Sequence, residues 1–201
     1  MFIGLVILLV LFIIAFTLFL IWTRRMNLET FIKHCQKKIK RIAKRNDLLS
    51  VPDLSISNYD SEKMLVNHVI FGKKYIYLIS DFMLKGFVSG EANDNSWVYY
   101  NNIKKTTHYL SNLHMLSDKN IRDFSGILGI SSDPIVSICL IPNECDFKIK
   151  SSEDPKKIIV HYASLARKIK QFENQEIGSL DKAQIYEQYK TIENKNNAER
   201  V

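Results

Sequence analysis

The chain has 201 residues and a formal net charge of +7, with 46% hydrophobic and 24% charged side chains. That composition excludes a disordered polyelectrolyte and leaves enough chain for one compact domain with its own core. The three cysteines, Cys35, Cys139 and Cys145, are odd in number and match neither a disulfide framework nor a zinc-site spacing, so they read as buried apolar filler in a reducing compartment.

Residues 1–22 carry no charged side chain and as a helix would reach roughly 30 Å, about the thickness of the hydrocarbon core of a bilayer. No basic residue precedes the run, and it ends in Leu20-Ile21-Trp22 rather than a small-residue cleavage site, so it reads as an uncleaved transmembrane helix. Arg24 and Arg25 follow at once, which places the C-terminal side in the cytoplasm by the positive-inside rule. The expected localisation is therefore the cell membrane, single-pass, with a cytoplasmic domain.

The positive charge is concentrated next to this span. Residues 24–45 hold nine basic side chains, Arg24, Arg25, Lys33, Lys37, Lys38, Lys40, Arg41, Lys44 and Arg45, against the single Glu29. Residues 46–201 hold 19 basic and 20 acidic residues, so the domain itself is not basic. Within 23–45 the positions Leu28, Ile32, Cys35, Ile39 and Ile42 make an apolar helical seam widened by Phe31 and Ala43. Three readings fit: a basic helix on anionic lipid headgroups, a coiled-coil seam, or the first helix of the domain.

Short extended segments follow. Leu48–Val51 and Leu54–Ser57 flank Pro52, and Asn58–Ser61 reads as a turn. Met64–Phe71, Gly72-Lys73-Lys74 and Tyr75–Ile79 predict a hairpin of buried strands. Gly86–Val88 reads as a short strand, and residues 91–96 as a polar loop ending at Trp97, which reads as core in preference to stacking on bases together with Tyr99 and Tyr100. Residues 99–116, with Ile103, Thr107, Leu110 and Leu113 near one face, predict a helix, and Ile121–Leu128 a shorter one. Pro134–Pro142 is an apolar, proline-bounded central strand. Phe147–Lys150 and Ile158–Val160 read as strands and Tyr162–Phe172 as a helix. Ser179 is the expected cap of a last helix running to about Glu193, with a polar tail at 194–201. The alternation predicts an α/β domain over 46–193, a mixed sheet flanked by helices.

The ordered blocks Val66-Asn67-His68-Val69-Ile70-Phe71-Gly72 and Tyr75-Ile76-Tyr77-Leu78-Ile79-Ser80-Asp81-Phe82, then Gly86, Val88, Gly90 and Trp97, resemble the NERD (nuclease-related) domain. This is a branch of the restriction-endonuclease-like fold often found behind an N-terminal transmembrane helix. The resemblance spans about residues 28–193. Family members read Ile-Asp-His-Val-Val at the first block and end the second in Ile-Glu-Thr-Lys. Nucleases of this kind hold Mg²⁺ on carboxylates from adjacent strands, with a nearby Lys. By position the metal Asp falls on Asn67, the Glu on Ser80 and the Lys on Phe82, and a helix Glu corresponds to Glu29. The resemblance therefore implies a degenerate site with no catalytic residue, no metal ligand and no cofactor.

Asp81 is the one substitute carboxylate in the block, but alternation along a strand turns it away from the face used by Ser80. His68 fits the family's Asp-His pair, but a lone histidine beside a strand is more often a packing residue with its polar groups satisfied. The leading expectation is a membrane-anchored binding or scaffold protein, with an unidentified protein partner, on a disabled nuclease fold. The alternatives are a Mg²⁺-dependent nuclease acting on DNA or RNA with relocated ligands, and an anionic-lipid-binding or assembly element built on the basic helix.

Overall fold

The structure, a computed structural model, describes residues 10–17, 28–57, 63–149 and 154–200. Residues 10–17 are helical and exposed. The remainder of the expected membrane span, Arg24, Arg25 and the turn at 58–61 lie outside the described residues. Among the described residues no helix is long and apolar enough to cross a membrane.

Helix α1 (Leu28–Asn46) places Phe31, Cys35, Ile39, Ile42 and Ala43 in the interior, with Ile32 of the expected seam only half-buried. It ends where Asp47 turns to φ 53° and Leu48 N donates to Ala43 O. Then β1 (Leu49–Pro52), β2 (His68–Phe71) and β3 (Ile76–Asp81) pair antiparallel in succession. The seven-residue β7 (Ile135–Ile141) is buried throughout, as expected of a central strand. It lies parallel to β3, and β9 (Lys157–His161) lies parallel to β7. The sheet order is β1-β2-β3-β7-β9.

Strand alternation divides the core. Tyr77 and Ile79 of β3 and Val136, Ile138 and Leu140 of β7 pack against α1 and against α3 (Leu165–Glu173). A 3-10 turn over Tyr162–Ser164 leads into α3. On the other face Ile76 and Leu78 meet Ile121 and Phe124 of α2 (Leu113–Leu128), and Ile185 and Ile192 of α4 (Lys182–Ala198). Helices thus cover both faces of a mixed sheet, and the α/β class read from the sequence holds.

A second sheet, of order β6-β5-β4-β8, adjoins the first. Its strands are β4 (Gly86–Gly90), β5 (Ser96–Asn101), β6 (Thr106–Ser111) and β8 (Cys145–Ile149). β3 runs on through residues 82–85 into β4, and β7 through residues 142–144 into β8. The pairing is parallel on both sides of the joint, β3 with β7 and β4 with β8. Gly86, at φ 135°, begins β4 because a Cβ there would collide with Tyr100 O.

The hairpin β5–β6 corrects the helix expected over residues 99–116. The helical spacing of Ile103, Thr107 and Leu110 is overridden by a turn. Asn101 Oδ1 accepts from Ile103 N at 2.9 Å and Lys104 N at 3.0 Å, and Lys105 sits at φ 52°. The β-branched and aromatic run Thr106–Tyr109 then pairs across to β5. The helix starts only at Leu113, where Asn112 Oδ1 accepts from His114 N at 2.8 Å.

Other boundaries move too. Residues 64–67 are irregular, and 54–57 forms no strand beyond a bridge between Ser57 and Lys63. The last helix is capped by Asp181 rather than Ser179. It continues to Ala198 through the segment read as a polar tail, because Asn196 is buried and its Oδ1 accepts from Ser55 N at 2.6 Å.

Candidate functional site

Asn67, Ser80 and Phe82 stand where β2 and β3 meet, and the fold gives each a structural partner. Ser80 is buried. Its hydroxyl donates to Leu65 O and accepts from Asn120 Nδ2 of α2 at 3.3 Å. Asn67 Oδ1 accepts from Asp81 N at 2.7 Å. Phe82 packs beside Leu84, Val88, Trp97 and Leu113 at the junction of the two sheets. Glu29 does not join them: it is exposed and its carboxylate lies 2.5 Å from Lys33 Nζ. That contact holds its pKa below the ordinary carboxylate value.

Asp81 leaves β3 on the face opposite Ser80, toward α1. Its Oδ2 lies 2.6 Å from His68 Nε2, and neither side chain is exposed. His68 Nδ1 accepts from Asp53 N at 2.9 Å, so the ring proton resides on Nε2 and is donated to Asp81. Burial, and then the Asp81 carboxylate, push the Cys35 thiol of α1 well above its ordinary pKa. Asp81 Oδ1 is buried without a hydrogen-bond partner.

A cavity of about 420 Å³ borders this region, lined by Asn67, Asp81 and Phe82 with Leu65, Asp53 and Arg200. The Asp53 carboxylate is held 2.7 Å from Arg200. Mg²⁺ does not fit these residues. A hard cation wants several converging anionic oxygens, whereas Asn67 and Ser80 are neutral and already bonded, and Asp81 is turned to His68. Among the described residues no group of three or more His, Cys, Asp or Glu side chains is placed to hold a metal ion.

The basic helix divides differently. Lys33, Lys37, Lys40, Arg41, Lys44 and Arg45 are exposed. Lys38 is turned inward: its Nζ donates to Tyr162 O and lies 4.0 Å above the Tyr162 ring. Burial lowers its pKa. Most of the apolar seam of α1 is occupied by the core, so the outward face is dominated by charge, with His34 exposed and Ile32 half-buried beside it.

Asn120 is the site residue that the sequence reading passes over. Its signal lies in spacing, for Leu113, Ser117, Asn120, Ile121 and Phe124 are the buried stripe of α2. A polar residue on such a stripe needs an internal partner. Compared with protein-family models, curated proteins and solved structures, the chain matches none.

Proposed function

We propose that the chain is a membrane-anchored, non-catalytic binding protein built on a degenerate NERD-like, restriction-endonuclease-like domain. The observation that carries this reading is the internal bonding of Ser80. At the position of a metal-binding Glu there is a buried hydroxyl tied to Leu65 O and Asn120. A nucleolytic centre needs converging carboxylates there. The neighbouring Asp81 supports the same reading, since its bond to His68 makes it a structural group.

The six exposed cations of α1 support a second element of the proposal, contact between this helix and anionic lipid beside the anchor. Each such cation at a negatively charged surface contributes about 1 kcal/mol. The test is to reconstitute the full chain in nanodiscs and incubate it with single- and double-stranded DNA and RNA in Mg²⁺ or Mn²⁺. No metal-dependent cleavage is expected. Cleavage that is abolished both by EDTA and by Asp81→Ala would overturn the reading in favour of relocated ligands.

A further inference from the structure

A second cavity, of about 610 Å³, lies between β8 and the edge strand β9, with α3 at its rim. Its volume falls in the range of small-molecule sites. The floor is apolar, formed by Ile141, Phe147 and Ile159. Phe147 is fixed edge-on to Trp97, ring centroids 5.5 Å apart.

The polar groups around that floor include His114, Lys157 and Lys168, with one carboxylate, Asp154, that is paired with Lys157. His114, at the start of α2, is 8% exposed, and its Nε2 is buried with no hydrogen-bond partner. An orphaned buried nitrogen of this kind is unfavourable unless something occupies it. The rings of Trp97 and His114 form a T-shaped pair, 5.3 Å between centroids, and Trp97 Nε1 donates to Glu91 O. Lys157 lines the same space, its Nζ 2.7 Å from Asp118 and 3.5 Å from Asp154. Burial, and then the Lys157 ammonium, lower the pKa of His114. Half-buried Lys168 on α3 donates only to a neutral acceptor among the described residues, Gln171 Oε1 at 3.3 Å.

With the ring proton on Nε2, the orphaned nitrogen is a donor that an anionic oxygen satisfies best. A second cation at the rim favours the same sign, and the apolar floor calls for an apolar body. We propose that this cleft binds a small organic anion, its flat apolar part against Ile141, Phe147 and Ile159 and its carboxylate or phosphate directed to His114 Nε2, Lys157 and Lys168. The site is separate from the Asn67–Ser80 region and does not depend on the nuclease resemblance.

The probe is 2-naphthoate, titrated into the full chain in phosphatidylcholine nanodiscs and read by the imidazole ¹⁵N resonances of His114, with empty nanodiscs as reference. A saturable shift of His114 Nε2 is expected, and 2-naphthylmethanol, which lacks the charge, is expected to produce none. His114→Phe, followed by calorimetry, and Lys168→Glu each weaken binding by about tenfold or more, the worth of one charge-assisted hydrogen bond. Lys168→Glu lies at the rim and keeps the test open if His114→Phe fails to fold. The absence of a saturable shift, equal binding of the alcohol, or unchanged affinity in Lys168→Glu would overturn the proposal.

Discussion

His68 Nε2 and Asp81 Oδ2 lie 2.6 Å apart with both side chains at 0% exposure, and Asp53 N completes the imidazole from its other nitrogen. The pair joins three segments: the end of β1, the start of β2 and the end of β3. His68→Ala would strand a carboxylate that already has one unbonded oxygen, so a loss of about 3–5 kcal/mol is expected. His68→Leu combined with Asp81→Leu removes the charge along with its partner and is expected to be milder than His68→Ala. Urea denaturation followed by Trp97 fluorescence measures both.

Ser80 sets a limit on restoring a nuclease motif. Ser80→Ala leaves Leu65 O and Asn120 without the hydroxyl and is expected to lose about 1–3 kcal/mol. Ser80→Glu forces a carboxylate between β3 and α2, where Asn120 is the nearest donor. Destabilisation of about 4 kcal/mol or more is expected. If Ser80→Glu proves as stable as the unmodified chain, the packing described around Ser80 is wrong.

Trp97 and Tyr109 make an internal comparison on the β5–β6 hairpin. Trp97 is fully buried, and its Nε1 donates to Glu91 O at 2.8 Å. Tyr109, one strand away, is 83% exposed. Thermal unfolding should show Trp97→Ala less stable by about 3–5 kcal/mol, with Tyr109→Ser within about 0.5 kcal/mol of the unmodified chain.

The thiols predict alkaline sensitivity. Burial raises Cys139 from 9.0 to about 12, and burial, then Asp146, raise Cys145 from 9.0 to about 11. A folded-state pKa above the unfolded one means the native chain keeps protons that the unfolded chain releases. The stability these groups contribute is complete below pH 9.0 and disappears as pH rises through 11 and 12. Cys139→Ser is not a substitute test, because it exchanges a thiol for a more polar hydroxyl. The direct measurement is urea denaturation at about pH 8 and about pH 11, with lower stability expected at the higher pH.

For α1, binding of a fragment beginning at Leu28 to phosphatidylserine vesicles is expected to fall about fivefold for each of Lys37, Lys40, Arg41 and Lys44 changed to Gln. It should also fall steeply with added salt. Lys38→Gln should have little effect on vesicle binding, since that ammonium is folded onto Tyr162. Equal losses from Lys38→Gln and Lys37→Gln would contradict the orientation of the helix.

The parts of the fold written in the sequence are those carried by a local pattern. The seam of α1 follows from side-chain spacing, and the strands around Ile70, Tyr77 and Ile138 follow from apolar runs bounded by turn residues. In the second sheet the strands read at Gly86–Val88 and Phe147–Lys150 are legible, but the hairpin between them is hidden because Tyr99–Leu113 satisfies a helical period loosely, while the deciding information lies in one Asx turn at Asn101. At the candidate site, alternation suffices to separate Asp81 from Ser80. The partners of these residues are not local: Asn120 lies 40 residues from Ser80, and Asp53 N lies 15 from His68. No periodicity links such pairs.

The two sheets share an unusual joint. Side by side, two parallel strands cross from one to the other, through residues 82–85 and residues 142–144. Phe82 N still donates to Leu140 O at 2.8 Å within the crossing. Two hydrogen-bonded strands therefore tie the sheets together, with Pro142 in one of the crossings. The cleft holding His114 is bordered by β8 from one sheet and β9 from the other, so its two walls are joined through this double crossing.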